Sequence, residues 1–300
     1  MKIFLTGASG FIGRHILKKL LGEGHEVLTI TRGRITADTA VPTWQQYQAD
    51  ITCWGTFEEQ VRAFAPEVCI HAAWTQTHDY SEKVCRINQM ASVNLLGFCF
   101  GLPSVKTVTA LGSCLEYGKN LGACAEDRAA EPDSWFAWCK QSIRHYGEIQ
   151  AKQAKKSFRW MRIFYAYGPG QRSGALIPSV LQSLGSGQPP QLKTPGLGCD
   201  FVHVKDVAEG IVRASIAADG GALALNLGGG RAFAAGNVAD YLGSVWQGQP
   251  VQPELVVSRE GAWSDNCRII RYLKWQPGVS LETGLKESAH EPELAHLSHA

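Results

Sequence analysis

Three glycines separate an apolar segment at the start of the chain from an amphipathic one. Residues 1–6 (Met-Lys-Ile-Phe-Leu-Thr) are typical of a buried strand, and residues 11–21 carry apolar side chains at helical spacing. Glycines at a strand-to-helix turn let the backbone approach phosphate oxygens, which the first N–H groups of the helix can bind. The turn therefore predicts a dinucleotide-binding site, with an ordinary tight turn as the alternative. The cofactor-binding residues predicted in it are Gly7, Ser9, Gly10, Phe11, Ile12 and Gly13.

The charge and hydropathy of the chain exclude several classes of partner. Its 300 residues carry a formal net charge of +2 without a run of Lys or Arg, so the sequence offers no electrostatic basis for binding nucleic acid or an anionic membrane. No apolar stretch approaches the roughly 18 residues of a membrane span, and the N-terminus is typical of a strand rather than a cleaved signal. We therefore expect a cytoplasmic protein with no nucleic-acid partner and no membrane partner.

The nine cysteines are scattered singly, without a Cys-x-x-Cys pair. An odd number leaves at least one unpaired, and most of them lie in apolar runs, which favours reduced, buried thiols. The spacing that is usual for zinc ligands is missing from the sequence. We therefore expect no metal site.

Apolar strands alternate with helices over the first half of the chain. Further strands are predicted at residues 25–31, 67–72, 105–111 and 158–164, and helices at 54–64, 80–100 and 135–155. Nearly all-apolar strands indicate a parallel sheet covered on both faces, and right-handed crossovers make such a sheet doubly wound. The predicted fold class is α/β, a Rossmann-type doubly wound parallel sheet with a small, mostly C-terminal substrate-binding lobe.

The composition of the sequence changes after Tyr165, where Gly and Pro become frequent. We predict a dinucleotide-binding Rossmann domain at residues 1–166, rejoined by residues 200–227, where regular patterning returns. Residues 167–199 and 228–300 are predicted to form the substrate-binding lobe. The last twenty residues, rich in Glu, His and Ala, are expected to fray.

An ordered series of motifs extends from the glycine turn to about residue 277. It comprises Asp50-Ile51, His71-Ala72-Ala73, Asn88, Asn94-Leu95-Leu96, Gly112-Ser113-Cys114-Leu115-Glu116-Tyr117-Gly118, Lys140, Arg162-Ile163-Phe164-Tyr165-Ala166-Tyr167-Gly168-Pro169-Gly170, Asp200-Phe201-Val202-His203-Val204-Lys205-Asp206-Val207, Asn226-Leu227-Gly228 and Trp275-Gln276-Pro277. One of these motifs would be weak evidence, but the ordered series is specific. On it the chain resembles an extended short-chain dehydrogenase/reductase of the nucleotide-sugar epimerase, dehydratase and reductase group.

The resemblance implies roles for five residues toward a dinucleotide cofactor. Asp50 and Ile51 are expected to hold the adenine, and Ala72 and Ala73 to line the path of the nicotinamide ribose. Asn88 is expected to support the helix at the edge of the sheet near the site. The alternatives are a helix N-cap for Asp50 and small-residue packing for the two alanines.

The end of the second strand predicts which dinucleotide is preferred. An NAD enzyme carries an acid there for the ribose 2′-OH, whereas a 2′-phosphate requires a cation. Thr31 occupies the position, and Arg32-Gly33-Arg34 follows it. We therefore expect NADP(H), rather than NAD(H), with Arg32 as the first phosphate ligand and Arg34 as the second. The alternative is a pair of solvated arginines on a loop.

The family's catalytic hydroxyl is missing from this chain. Members of the group transfer a hydride with the help of a Ser, a Tyr and a Lys four residues after the Tyr. Ser113 and Lys140 match two of these, Lys140 also being expected to hold the nicotinamide ribose, but Phe136 stands where the Tyr belongs. Residues four apart on a helix share one face and can serve one site. Phenylalanine keeps the ring of that tyrosine and loses its proton.

Three explanations of Phe136 remain open. The chain is an active-site variant, it recruits another proton donor, or it has given up redox chemistry. The candidate donors by motif position are Tyr117, Tyr165 and Tyr167, and a water held by Ser113 is a further one. Tyr165 lies where relatives carry a smaller residue beside the nicotinamide, so the resemblance places it near both cofactor and catalytic groups. Ordinary packing is the alternative for these tyrosines.

The substrate is indicated by resemblance alone. Residues 168–178 and 200–206 correspond to the segments where relatives bind the diphosphate of a sugar nucleotide, and Cys199 replaces an expected Arg there. Predicted substrate contacts are Ser113, Cys114, Arg172, Leu176, Lys193 and Arg231, with Lys205 a further candidate cation and solvated charge the alternative for the cations. The residues of the motifs at 112–118 and 162–169 most resemble those of the 4-ketoreductases that make deoxyhexoses such as CDP-linked abequose or paratose.

Three functions follow from these observations. The first is an NADP-dependent oxidoreductase that reduces a nucleotide-linked 4-keto-6-deoxyhexose. The second is a nucleotide-sugar 4-epimerase or dehydratase that retains its NAD(P). The third is a non-catalytic dinucleotide-binding sensor or assembly protein. Relatives usually form homodimers through a four-helix bundle, which here would use the two long helices at 80–100 and 135–155.

Overall fold

The chain alternates strands and helices as its sequence predicts. The computed structural model describes residues 1–33, 35, 42–119, 121–217, 220–249 and 254–290. The strands within them are β1 (Lys2–Thr6), β2 (Glu26–Thr31), β3 (Trp44–Gln48), β4 (Val68–His71), β5 (Thr107–Ser113), β6 (Gly122–Cys124), β7 (Ser157–Ile163), β8 (Tyr165–Tyr167), β9 (Gly198–Cys199), β10 (Phe201–His203), β11 (Ala222–Leu227), β12 (Phe233–Ala234) and β13 (Gly261–Ser264). The helices are α1 (Phe11–Gly22), α2 (Glu58–Phe64), α3 (Glu82–Gly101), α4 (Trp135–Ala154), α5 (Leu176–Gly185), α6 (Val204–Ile216), α7 (Ala235–Trp246), α8 (Cys267–Leu273) and α9 (Leu281–His290), with a 3₁₀ helix at Cys114–Tyr117.

The largest sheet of the described residues has seven strands in the order β11-β7-β5-β4-β1-β2-β3. Ile3 of β1 pairs in parallel with Val27 of β2 and with Val68 of β4. The order therefore reverses at β1, with β2 and β3 on one side and the other strands on the other side. The predicted Rossmann-type parallel sheet is confirmed, and the carboxyl ends of β1, β2 and β4 lie side by side.

β3 is an edge strand that the sequence does not predict. Its residues, Trp-Gln-Gln-Tyr-Gln, are polar and partly exposed, and it pairs with β2 in parallel from Val27–Trp44 to Thr31–Gln48. Side chains add to the backbone ladder, because Trp44 Nε1 donates to Thr29 Oγ1 (3.0 Å). An edge strand of this kind has little apolar patterning, since it buries little surface.

Residues 1–119, 129–162 and 208–225 form one compact unit around this sheet. Its core includes Phe4, Leu28, Leu96 and Val108, each at most 3% exposed, together with Phe158. α3 and α4 pack against each other. The glycine turn and the motifs up to Lys140 all belong to this unit, so the predicted dinucleotide and catalytic residues can be compared within it.

Residues 120–128, 163–207 and 226–300 form a second compact unit. It has its own apolar core, which includes Ile177, Val238 and Leu285, and a small sheet in the order β12-β9-β13-β6. The sequence-based boundaries differ from these, because they assigned β6 and β10 to the first domain. β6 pairs with β13, far along the chain, and sequence patterning does not report such a long-range pair.

The C-terminal segment is more regular than its composition predicts. α9 is a helix with Leu281 and Leu285 buried, so fraying is wrong for residues 281–290. Residues 291–300 lie outside the described residues. All nine cysteines are free thiols and six are buried. None of the helices in the described ranges is long and apolar enough to cross a bilayer.

His71 is buried at the end of β4 between two hydroxyl groups. Its Nδ1 lies 2.8 Å from Thr6 Oγ1 and its Nε2 lies 2.9 Å from Ser92 Oγ. Burial, with the nearby Lys140 charge as a second cause, lowers the pKa of His71 from 6.5 to about 3. The imidazole is therefore neutral at pH 7, and it joins β4 to both β1 and α3.

This burial predicts an acid sensitivity. Between pH 6.5 and 3 the unfolded chain binds a proton at His71 that the folded chain rejects, so the free energy of unfolding should fall by about 2 kcal/mol from pH 7 to pH 5 through this group. Urea unfolding at both pH values should show that His71→Gln loses this contribution, whereas His78→Gln, which changes an exposed histidine, keeps it. An equal pH dependence in the two variants would contradict the assignment.

Candidate functional site

The glycine turn between β1 and α1 has no room for a side chain at Gly7 or Gly13. Gly7 has φ +76°, and a Cβ on it would lie 2.6 Å from the backbone of Ala72 and Ala73. A Cβ on Gly13 would overlap the Gly7 carbonyl oxygen. Gly10 N donates to the same oxygen (2.9 Å) and closes the turn. The backbone of the turn is therefore packed against the end of β4, at the place where the sequence predicts the pyrophosphate.

The N-terminus of α1 is electropositive. Its N-cap is Gly10, which supplies no side-chain hydrogen bond to the first N–H groups of the helix. The first turn carries no acidic residue, and Arg14 Nε lies 3.4 Å from the Gly10 carbonyl oxygen. Uncapped N–H groups, a positive helix end and a guanidinium suit an anionic phosphate. These residues therefore fit a dinucleotide.

Thr31 ends β2 in a hydrogen-bonded turn. Its Oγ1 donates to the Gly33 carbonyl (2.7 Å) and accepts from Gln46 Nε2 (2.8 Å). The threonine is 4% exposed. The position that decides cofactor preference is thus occupied by a hydroxyl that is already paired, and it presents no carboxylate to a ribose.

The Arg32 side chain is exposed beyond the end of β2. Its guanidinium donates to Thr75 Oγ1 (3.1 Å), on the loop after β4, and its carbonyl accepts from Gln48 Nε2 (2.9 Å). Because β1 lies between β2 and β4, the cation is directed across the glycine-turn edge of the sheet. Arg34, the second predicted phosphate ligand, lies outside the described residues.

Asp50 and Ile51 lie in the turn after β3. Asp50 Oδ1 accepts from Thr52 N (2.9 Å) and Thr52 Oγ1 (2.8 Å). α2 begins only at Glu58, so the alternative interpretation of Asp50 as a helix N-cap is wrong. Ile51 packs partly buried against the core of the unit. Their predicted role at the adenine stays a prediction.

Asn88 holds the loop that follows β4. Asn88 lies on α3, and its Oδ1 accepts a hydrogen bond from Thr75 N (2.7 Å). Its Nδ2 donates to the Thr75 carbonyl (3.1 Å) and to the Val84 carbonyl (2.9 Å). The amide thereby anchors the segment that begins with Ala72 and Ala73. Asn88 is 2% exposed, and its contacts here are with the backbone of this loop and of α3, so its expected place near the cofactor stays a prediction.

A buried carboxylate lies beneath Ser113. Glu116 accepts from the Ser113 backbone N–H (2.9 Å), from Trp160 Nε1 (3.0 Å) and from Arg162 Nε (3.0 Å), and both charged side chains are fully buried. Arg162 also donates to the phenol oxygen of Tyr117 (2.9 Å). Tyr117 is 0% exposed, so it does not face a ligand and is wrong as an alternative proton donor.

Lys140 extends from α4 to the end of β5. Its Nζ donates to the Leu111 carbonyl (2.7 Å) and lies 4.2 Å from the centroid of the Trp74 ring. Burial lowers the pKa of Lys140 from 10.5 to about 8, and the charge of Glu116 partly opposes this shift. The ammonium is also 5.6 Å from the centroid of Phe136, one helical turn earlier. The predicted spacing therefore does place Phe136 beside Lys140.

Phe136 belongs to an aromatic cluster that the sequence does not reveal. Its ring packs edge to face against Trp74 (centroids 5.1 Å apart, 74° between planes) and stacks on Tyr80 (4.6 Å, 18°). Trp74 follows the Ala72-Ala73 pair directly, which is the one sequence signal for its place at the site. Tyr80, Trp74 and Glu116 are the site residues that sequence reasoning missed.

The second unit holds the predicted residues from Tyr165 onward. Tyr165 begins β8 and is 37% exposed, whereas Tyr167 is 1% exposed and burial raises its pKa, which disfavours it as a proton donor. Leu176 begins α5 and packs on the core of the unit. The four candidate cations of this unit are exposed: Arg172, Lys193, Lys205 and Arg231. Of these, Lys205 pairs with Glu287 (3.2 Å).

Asp200 organises the loops of this unit. It accepts from Gly229 N (2.6 Å), Gly230 N (3.2 Å) and Ser264 Oγ (2.7 Å). Burial raises its pKa from 3.8 to about 6, against the effect of these hydrogen bonds. Cys199, which precedes it, is buried, and burial raises the pKa of its thiol to about 11. The thiol is therefore neutral at pH 7 and does not replace the cation that relatives carry.

A model of the NAD dependent epimerase/dehydratase family matches residues 3–228. The chain belongs to this family. Similar proteins include a probable UDP-glucuronate 4-epimerase of Rhizobium meliloti (strain 1021), 26% identical over 233 residues that span 72% of this chain and 68% of that protein. CDP-abequose synthase of Salmonella muenchen is 23% identical over 219 residues, 71% of this chain and 69% of that protein.

Solved structures share the fold of this epimerase/dehydratase family member. The structure of MoeE5 in complex with UDP-glucose and NAD superposes with a TM-score of 0.83 at 23% identity, over 96% of this chain and 97% of that chain. The predicted membership of the extended short-chain dehydrogenase/reductase group is thereby confirmed. The family's NAD dependence agrees with the dinucleotide-binding turn, whereas the roles of individual site residues stay predictions.

The buried pair beneath Ser113 predicts a large loss of stability in Glu116→Gln. The change leaves the Arg162 guanidinium buried without its carboxylate, which should lower the free energy of unfolding by about 3–5 kcal/mol. Glu82→Gln is the matched control, because the pair of Glu82 with Arg86 is exposed and should contribute at most about 1 kcal/mol. Urea unfolding at pH 7 compares them, and losses of equal size would contradict the role of Glu116.

Proposed function

We propose that this family member is an NADP-dependent oxidoreductase acting on a nucleotide-linked sugar, with reduction of a 4-keto-6-deoxyhexose as its reaction. The observation that carries the proposal is the fit of the first unit to a dinucleotide and a catalytic pair: a turn closely packed at Gly7 and Gly13, an uncapped helix end, Ser113 at the end of β5 and Lys140 beside Phe136. The similarity to CDP-abequose synthase supports a deoxyhexose product.

The residues of the chain supply orientation and protons. Ser113 would orient the carbonyl with its Oγ, and Glu116 of the 3₁₀ helix that follows accepts a hydrogen bond from the Ser113 backbone. Lys140 would hold the cofactor ribose, and NADPH supplies the hydride when it is bound. Phe136 has no proton to give. Of the three alternative tyrosines, Tyr165 is the exposed one, and we propose it as the donor.

A second function is supported by the names of the relatives. Several similar proteins are 4-epimerases, including the probable UDP-glucuronate 4-epimerase. An epimerase or dehydratase oxidises and then re-reduces its substrate, so it keeps its cofactor. Purification with tightly bound NAD(H) would favour this function, and dependence on added NADPH would favour the reductase.

A third function is favoured by the aromatic cluster. A cluster of three rings, from Phe136, Trp74 and Tyr80, lies beside Lys140. Position 136 carries no acid–base hydroxyl. This arrangement suits a protein that binds dinucleotide and sugar nucleotide without turning them over, as a sensor or an assembly partner. Restoring the hydroxyl distinguishes this function from the other two.

We also propose a homodimer that uses α3 and α4. The two helices pack against each other and expose large apolar side chains, including Ile87 and Met90 on α3 and Trp138 and Ile149 on α4. A second copy that covered these side chains would complete a four-helix bundle about a two-fold axis.

The cofactor preference predicts an effect of Arg32→Ala. Loss of a charge-assisted contact to the 2′-phosphate should weaken binding of NADP⁺ by about 10- to 100-fold and of NAD⁺ by about 2-fold or less. Isothermal titration with both dinucleotides measures the two changes, with Arg86→Ala on α3 as a control for the loss of an exposed arginine. Arg34→Ala and the double variant show whether Arg34 shares the role. Equal losses for the two dinucleotides would argue against a 2′-phosphate site.

The missing hydroxyl predicts a gain of activity in Phe136→Tyr. A positioned acid–base group accelerates a reaction by about 100- to 10,000-fold, so NADPH oxidation with 4-keto-6-deoxyhexose nucleotides should rise by at least about 100-fold. Phe98→Tyr is the control for adding a phenol to the same unit, and Phe136→Tyr combined with Lys140→Met should lose the gain.

The outcomes separate the three functions. A rise in Phe136→Tyr identifies a disabled reductase site. Unchanged, substantial turnover shows that another group supplies the proton, and Tyr165→Phe then tests the proposed donor. Failure of both chains to react, with dinucleotide binding intact, supports the non-catalytic function.

A further inference from the structure

Trp74 packs over Lys140, the cation of the proposed catalytic pair Ser113 and Lys140. The Lys140 ammonium lies 4.2 Å from the centroid of the Trp74 ring and donates to the Leu111 carbonyl (2.7 Å). Among the described residues the ammonium therefore contacts a backbone oxygen and two rings, with the Trp74 ring nearer than that of Phe136 (5.6 Å). A desolvated cation on the face of a tryptophan is attracted by the ring, more strongly than at an exposed site. Trp74 thus occupies part of the surroundings that a ligand oxygen would need in order to reach the ammonium.

The position of Trp74 carries a cost as well as a gain. Phe136 packs against the indole edge to face at 5.1 Å, and Tyr80 stacks on Phe136 at 4.6 Å, so aromatic contacts hold the ring in place. The indole Nε1, however, is buried without a hydrogen-bond partner among the described residues. An unsatisfied buried donor is unfavourable. The cation contact and the unpaired N–H oppose each other, which makes this ring position one that a ligand can displace.

We propose that Trp74 competes for the Lys140 ammonium with the sugar that follows the pyrophosphate of a bound dinucleotide, and so determines how much affinity that sugar adds. The inference rests on the dinucleotide site of the proposed function. The loop order supports it, because Trp74 directly follows Ala73, which packs against the glycine turn where the pyrophosphate is expected. Asn88 fixes the backbone of Thr75, the next residue, so the competition involves the indole ring rather than the loop.

A pair of simple ligands isolates this effect from catalysis. ADP ends at the pyrophosphate, whereas ADP-ribose adds the sugar that would meet Lys140. Isothermal titration of the full-length chain should give affinities for the two that differ by about 3-fold or less, because the energy of displacing Trp74 offsets the ribose contacts. Trp74→Ala should raise the preference for ADP-ribose over ADP by about 10-fold or more and leave ADP binding unchanged.

Controls separate competition from a structural role. Trp74→Phe keeps a ring at the site and should retain most of the low preference, and it also serves if Trp74→Ala does not fold. Trp246→Ala removes an exposed tryptophan of α7 and should change neither affinity. Trp74→Ala combined with Lys140→Met should lose the gain for ADP-ribose, because the gain requires the ammonium.

The results distinguish failure of this inference from failure of the proposed function. If ADP binds and the preference for ADP-ribose does not rise in Trp74→Ala, competition by Trp74 is overturned while the dinucleotide site stands. A rise that survives Lys140→Met also overturns it. If neither ADP nor ADP-ribose binds the unmodified chain, the dinucleotide site and this inference fail together.

Discussion

One buried carboxylate organises the end of β5 in the first unit. Glu116 accepts at the same time from the Ser113 backbone, from the Trp160 indole and from the Arg162 guanidinium. A single charge thereby connects β7 to the end of β5 and shapes the turn that carries Ser113, while its field favours the charged form of Lys140. Because either partner alone would be an uncompensated buried charge, the arrangement forms as a whole or not at all.

The parts of the fold that bury much apolar surface, on one face of a helix or on both faces of a strand, could be predicted from the sequence. β1, α1, α3, α4 and β7 show their period in apolar residues and lie within two or three residues of their expected bounds. β3 escaped prediction because an edge strand can be stable with polar side chains, and β6 escaped because it has three residues and pairs with a distant strand. The local pattern of apolar residues reflects burial. β3 buries little surface, and β6 is short and pairs with a strand that is distant in sequence.

The residues of the candidate site likewise differ in whether the sequence alone could point to them. Spacing along one helix identified Phe136 and Lys140, and the motif identified Ser113. Trp74 could not be recognised, since only the packing of the loop after β4 against α4 brings residue 74 to residues 136 and 140. Asn88 was expected to support the helix near the site, and only the structure shows that its amide also bonds to the Thr75 backbone in the loop after β4. Motifs specify which side chains are present, whereas long-range packing decides what each one touches.

The polar edge strand also bears on how such a protein can change its cofactor. Gln46 and Gln48 fasten the turn after β2 through bonds from their amides to Thr31 and to the Arg32 carbonyl, and neither contributes an apolar side chain to the core. The arginine side chain can therefore be exchanged by mutation while the turn keeps its backbone anchors. An exposed polar edge also discourages the pairing of sheets from different molecules. Under the proposed role of Arg32, cofactor preference can therefore change by substitution at this turn without a matching change in the interior.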